Sequence, residues 1–239
     1  GVGVAATGSG AAVSGSIAVN KLNNDTTAKI AGGAKVTAEK NAAVAAKSDD
    51  RIQNYSGQLT VAGTGAAIGL STSTNIIGSN TKAEISGKGT EVISHATDGV
   101  AATQIKDGLD HGKLYDGSLT VDTLGALSGL DGLAEGRKDN AYRGVAVSAS
   151  ATHTANSFVA NGGGAGTGVS VIGTVNTNIV GGSTTAQIAD ATAKADGADV
   201  SVHADDATNS GALVGTISVA GEGAALGTGS SINLINRTT

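Results

Sequence analysis

The sequence predicts an all-β chain wound as a right-handed parallel β-helix, a β-solenoid, with one inserted lobe that is partly helical or irregular. Three observations predict it: a composition poor in large side chains, a long gapless internal repeat, and short β-branched runs punctuated by turn residues. The 239 residues include 38 glycines, one phenylalanine and three tyrosines, and no tryptophan, methionine, cysteine or proline. A compact domain of this length fills its centre with aromatic and long aliphatic side chains. Here Ala, Val, Ile and Leu carry the apolar content, which suits an elongated interior one or two side chains thick. Disorder fits poorly, because it goes with low hydrophobicity and high net charge. This chain has slightly positive mean hydropathy and a formal charge of −5.

The repeat is the main signal. Four segments align without gaps: GAAVSGSIAVNKLNNDTTAKI from Gly10, GAAIGLSTSTNIIGSNTKAEI from Gly65, GVSVIGTVNTNIVGGSTTAQI from Gly168 and GAALGTGSSINLINRTT from Gly223. The first two starts are 55 residues apart, as are the last two, and the middle spacing of 103 is one such unit plus 48 residues. Val13, Ile68, Val171 and Leu226 stay apolar, as do Leu22, Ile77, Val180 and Ile235. Thr26, Thr81, Thr184 and Thr239 keep a hydroxyl. Ala28, Ala83 and Ala186 precede Ile30, Ile85 and Ile188 by two residues, which puts each pair on one strand face.

These features assign residues 1–94 and 144–239 to one continuing β-helix, with residues 95–143 as the insertion. Gly, Asn, Asp and Ser clusters separate the β-branched runs, as turns separate strands, and helix formers are scarce. One unit cannot bury its apolar stripe alone, but stacked copies can, with strands pairing rung to rung about 4.8 Å apart. Like residues then lie over like, and Asn20, Asn75, Asn178 and Asn233 are expected to form a ladder of side-chain amides. The unit divides into about three rungs of roughly 18 residues, or into two longer ones. Right-handedness follows from the bias of parallel crossovers. An antiparallel sandwich would need frequent hairpins and would not generate a long gapless period; a trimeric β-roll has a much shorter one.

Segments such as GTGAAIGLSTSTNIIGSNTKAEI, GVSVIGTVNTNIVGGSTTAQI and AYRGVAVSASATHTAN resemble the repeat region of leukotoxin-family filamentous adhesins, which are related in style to filamentous haemagglutinins. The resemblance covers nearly the whole chain, least so from about Thr97 to Asn140. It implies a β-helix stalk, exported across the outer membrane of a Gram-negative bacterium and secreted or displayed at the cell surface. It further implies a virulence role in attachment to host-cell surface proteins or glycans, with no catalytic motif and no cofactor to carry over. A cytotoxic segment is the alternative that the family name suggests, and a β-helix polysaccharide lyase is a further one.

The insertion holds Tyr115 and Tyr142 and the basic cluster Arg137, Lys138 and Arg143, which form a candidate contact surface on a side lobe. Leu124, Leu127, Leu130 and Leu133 recur every three residues, as in a short amphipathic or 3₁₀-like helix that Gly125, Gly129 and Gly132 weaken. The bland reading is a lobe that covers part of the solenoid wall.

Other motifs point away from chemistry. Asp49–Asp50 and Asp205–Asp206 are paired acids, but the two pairs do not share a register, and solvated corner positions are expected. Lyases of this fold need acids for calcium and a basic partner, and no Lys or Arg recurs beside these pairs. His95, His111, His153 and His203 lack metal spacing, and surface or corner positions suffice for them. Gly162–Gly163–Gly164 lacks the GK[ST] ending of a phosphate loop and is expected at a corner or a close backbone approach. No catalytic or metal residue is therefore assigned. With 15 basic and 20 acidic residues and no basic run, nucleic-acid binding is not expected. No apolar run of about 18 residues forms a transmembrane helix. The chain starts and ends inside a repeat, as a piece of a longer protein does, and its unpaired end rungs are expected to associate end to end.

Overall fold

The computed structural model describes residues 1–109, 120–121, 127–128 and 137–239. Twelve strands run in chain order: β1 Val2–Ser9, β2 Ala12–Ala31, β3 Lys35–Ala38, β4 Ala42–Ser86, β5 Glu91–Ser94, β6 Thr103–Leu109, β7 Thr120–Val121, β8 Leu127–Ser128, β9 Arg137–Tyr142, β10 Gly144–Ala189, β11 Thr192–Ala195 and β12 Asp199–Thr238. No helix occurs among the described residues. Leu127 lies in the two-residue strand β8, which pairs antiparallel with β7, while Leu124, Leu130 and Leu133 fall outside the described residues.

The long strands pair in parallel, in the order β1 and β2, then β4, β10 and β12. Their register is that of the gapless alignment: Asn20 faces Asn75, Asn75 faces Asn178, and Asn178 faces Asn233. Layers are thus offset by 55, 103 and 55 residues. Each repeat contributes one layer of the long sheet, which corrects the division into rungs of about 18 residues. We number the layers one (β1–β3), two (β4–β5), three (β10–β11) and four (β12).

Within a layer the long strand doubles back on itself. In layer two the fold lies at Gly65, whose φ of 103° is costly for any other residue. A Cβ there would also lie 2.2 Å from the carbonyl oxygen of Gly10 in the layer beneath. Gly10, Gly168 and Gly223 occupy the same point with φ of 88°, 119° and 132°. The two arms meet through side chains, while backbone bonding runs to the neighbouring layers. Ser48 and Thr81 share a 2.7 Å hydrogen bond across the gap, and Asn54 Nδ2 donates to Ser73 Oγ at 2.7 Å. β3, β5 and β11 form a second small parallel sheet, in register through Lys35, Glu91 and Thr192, at the open end of the arms.

Alternation along each arm sets what lies between the walls. From the open end towards the fold, the interior begins with Val44, Ala46, Ala83, Ile85, Val145 and Val147. A polar zone follows, then Ile52, Ile77, Ala155 and Val180, then stacked amides, and lastly Ala62, Ala67 and Ala165. The gap is so narrow that a long side chain from one wall demands glycine on the other. A Cβ on Gly163 would lie 2.1 Å from Ile172 Cδ1, so the triple glycine is a close approach within β10. Val13, Ile68 and Leu226, conserved in polarity through the repeat, face outward and are exposed. Buried stripe and apolar column are therefore not the same set, because arms joined side chain to side chain fill their gap with small and amide residues.

Candidate functional site

Two regions carry chemistry-bearing side chains: the root of the inserted lobe and a buried chain of charges between the walls. At the root, β6 and β9 pair antiparallel, with an irregularity between Ile105 and Gly108. β6 touches both β10 and β12. Its Asp107, 2% exposed, accepts hydrogen bonds from Tyr142 Oη at 2.7 Å and from Ser148 Oγ. Leu109 packs on Ala207. Burial and the neighbouring Asp107 carboxylate push the Tyr142 phenol up to about 12.

The outward wall differs between layers two and three. In layer two the outward residues Ala45, Lys47, Asp49, Arg51 and Gln53 are exposed. Their register partners in layer three, Ser148, Ser150, Thr152, Thr154 and Asn156, are all buried. Small hydroxyl and amide side chains stand where layer two carries Lys47, Asp49 and Arg51, and Asp107 of the root meets the first of them, Ser148.

Of the five candidate contact residues, Tyr115 lies outside the described residues. Arg137 opens β9, and Lys138 follows it, exposed. Tyr142 spends its hydroxyl on Asp107, so it braces the root. Arg143 approaches Asp98 at 3.5 Å and lines an open groove of about 540 Å³ with Ala102, Ala141, Gly197, Ala198 and Asp199. Backbone placement thus brings four of the five onto one run, Arg137–Arg143.

The four asparagines stand one above another along the stack. Asn20 Nδ2 donates to Asn75 Oδ1 at 2.9 Å, Asn75 Nδ2 to Asn178 Oδ1 at 2.8 Å, and Asn178 Nδ2 to Asn233 Oδ1 at 2.8 Å. Asn75 and Asn178 are fully buried, and Ser157 Oγ also accepts from Asn75 Nδ2 at 2.6 Å.

Nearer the open end lies the charge chain. His153 has no exposed surface; its Nδ1 is 3.1 Å from Asp50 Oδ2, and its Nε2 is 3.5 Å from Asp206 Oδ2. Arg237 reaches Asp206 with Nε and Nη2 at 2.7–3.0 Å. Its Nη1 donates to the carbonyls of Gly181 and Ser79 at 2.8 and 3.2 Å. Asn24 Nδ2 donates to Asp50 Oδ1 at 3.0 Å, and Thr184 Oγ1 to Asp206 Oδ2 at 2.6 Å.

Burial opposes ionisation throughout, yet the contacts prevail: both carboxyls are held below their ordinary range, and the imidazole is raised above its own. With His153 protonated, two anions and two cations cancel. Solvated corners are the expectation for Asp50, Asp206 and His153; the structure buries Asp50 and His153 and leaves the Asp206 side chain 8% exposed. The readable signal was His153 aligned on Asp50 at the 103-residue offset. Asp206 was harder to find, because its register partner is Ala151 and it reaches His153 diagonally.

The His153 side chain has no exposed surface, and the arrangement supports neutralisation inside the stack. Among the described residues no group of three or more His, Cys, Asp or Glu side chains is arranged to hold a metal ion. Among them there is also no helix long and apolar enough to cross a membrane. No family model, curated protein or solved structure matches the chain.

Proposed function

We propose that the chain is a structural and adhesive segment of a large bacterial filamentous adhesin, secreted or held at the outer-membrane surface, and that its layers are coils of a right-handed parallel β-helix. The observation that carries this reading is the parallel register itself. Val145–Ala189 pairs along its length with layer two, and Gly144–Ser183 with layer four. Bonding directed along the stack shares a load between whole layers, as a spacer requires. The Asn ladder adds side-chain bonds in the same direction.

An adhesive role is supported by the outer walls near the fold. Residues 52–81 of layer two contain no Asp, Glu, Lys or Arg, nor does any part of β10. Tyr55, Leu59, Val61, Ile68 and Leu70 stand exposed there. Exposed aliphatic surface on a rigid stack is what a binding face offers. The lobe root adds Lys138 and the Arg143 groove as a polar contact for host proteins or glycans.

The test is adhesion of beads coated with the 239-residue chain to host cells and to glycan arrays. Coated beads are expected to bind above bare beads. Paired changes Leu59→Asp and Leu70→Asp, and replacement of residues 95–143 by a three-residue link like Glu39–Asn41, assign the binding to wall or lobe. Beads that bind no better than bare ones would remove the adhesive half of the proposal.

A further inference from the structure

We propose that Asp98–Gly99 is a site of spontaneous backbone modification, where aspartate converts through a succinimide ring into isoaspartate on the rim of the Arg143 groove. The step needs a side-chain carboxyl or carboxamide, a following residue with no Cβ in the way, and freedom for the next main-chain nitrogen to reach the side-chain carbonyl carbon. The sequence carries the required pair at Asp98–Gly99, Asp107–Gly108, Asp116–Gly117, Asp131–Gly132, Asn161–Gly162 and Asp196–Gly197. Asp116–Gly117 and Asp131–Gly132 lie outside the described residues. Among the others, the structure leaves one free to react.

Three of the four are held. Asn161 lies within β10, paired with Gln58 on one side and Thr216 on the other. Its Oδ1 accepts from Ser71 Oγ at 2.9 Å, and its Nδ2 donates to the Gly173 carbonyl at 3.0 Å and to Thr174 Oγ1. Asp107 is 2% exposed, and its carboxylate is bound by Tyr142 and Ser148. The Asp196 carboxylate lies 2.8 Å from Lys194 Nζ and 2.5 Å from His95 Nδ1, and its main-chain nitrogen donates to the Ser94 carbonyl at 2.9 Å. Lys194 and His95 also hold its carboxyl below the ordinary carboxylate range, whereas ring closure requires the neutral acid, which can lose an oxygen as water.

Asp98 differs on each count. It sits in the turn Thr97–Val100 between β5 and β6, closed by Val100 N donating to the Thr97 carbonyl at 2.9 Å. Its side chain is 99% exposed, and the contact it makes with Arg143 Nη1 is long, at 3.5 Å. An exposed pair of that kind restrains a side chain weakly. Gly99 donates no main-chain hydrogen bond among the described residues, and a Cβ on it meets nothing within 4 Å.

The chemistry balances with water alone. The Gly99 nitrogen bonds to Asp98 Cγ, the Cγ–OH bond breaks, and the hydroxyl leaves as water with the amide proton. Water then adds to either ring carbonyl. Opening at Cγ restores aspartate. Opening at the main-chain carbonyl leaves the chain running through Cβ and Cγ, with the carboxylate directly on Cα. The second product lengthens the turn by one methylene and sets the anion beside Arg143 on a shorter arm.

The experiment incubates the full chain at neutral pH and physiological temperature in water labelled with heavy oxygen, then digests it with trypsin in ordinary water for mass spectrometry. The peptide Gly89–Lys106 carries Asp98 as its only aspartate, while Asp107–Lys113, Gly144–Lys194 and Ala195–Arg237 report on Asp107, Asn161 and Asp196. The first is expected to take up label and split into aspartate and isoaspartate forms about tenfold or more faster than the other three, which react only from locally opened states. In urea that lead is expected to disappear, because Asn161 is then released. Gly99→Val, with an unchanged circular dichroism spectrum and melting temperature, is expected to lose the conversion. Asp98→Asn is expected to release ammonia and to give the same two products. Absence of label from Gly89–Lys106, equal rates in the four native peptides, or a lead that survives in urea would overturn the proposal.

Discussion

His153 shows how one residue couples layers. It stands between carboxylates of layers two and four whose side chains are 3% and 8% exposed. Removing the cation leaves two buried anions without it, a situation that costs about 3–5 kcal/mol when one partner of a buried pair is deleted. His153→Leu is therefore expected to lower the unfolding free energy by about that amount in urea titrations at pH 6. An unchanged midpoint would show that the carboxylates do not depend on the imidazole. Asn75 is a milder case. Its amide joins Asn20, Asn54, Asn178 and Ser157, so Asn75→Ala strands several buried polar groups, at about 1–3 kcal/mol. Asn233→Ala, at the exposed end, is expected to cost less in the same assay.

At the scale of one element, the doubled strand depends on its fold point. Gly168 combines φ of 119° with a carbonyl oxygen 2.0 Å from the place of a Cβ. Both the backbone and the layer beneath exclude alanine. Gly168→Ala is expected to destabilise the stack by more than the roughly 1 kcal/mol that separates glycine from alanine in ordinary backbone; thermal melts beside a Gly8→Ala control would measure it. The turn at the other end is less strict. Gly32 and Gly87 have φ of 71° and 97°, but layer three places Asp190 there at 52°, a conformation Asp tolerates. The apolar columns and glycine fold points were visible in the sequence, since both recur at fixed offsets. Which apolar column faces inward was not, because alternation fixes two faces without saying which one meets a partner.

For the whole molecule, pH tests the balance of charges. Glu84, nearly buried between Lys29, Lys82 and Gln187, is held at about 2 against an ordinary 4.5. Asp50 and Asp206 are lowered likewise. These groups contribute stability that is complete above their unfolded values and lost as pH falls through the folded ones. His153 has the opposite sign: its contribution is complete below the ordinary 6.5 and is lost as pH rises through its raised folded value. Stability is therefore expected to be greatest between about pH 4.5 and 6.5 and to decline on both sides. The alkaline decline should vanish in His153→Leu; melting temperatures across a pH series check both. The lobe is peripheral to this balance, and replacing residues 95–143 is expected to leave the layer register and the strand spectrum intact.

The sequence by itself determined the stacking. A gapless repeat makes equivalent residues superposable, and parallel pairing is the arrangement that places Asn on Asn and Gly on Gly through every layer. Composition determined the thin interior. Only the tertiary structure decided that one repeat makes one layer, that the long strand doubles at its glycine, and that the acids of two repeats converge on a histidine from a third. The convergence on His153 runs along one arm, with Asp50 in register and Asp206 diagonal to it, whereas the first two outcomes depend on which side chains meet across the gap between arms. Such contacts join residues related by reflection about the fold point, and a translational repeat carries no record of that.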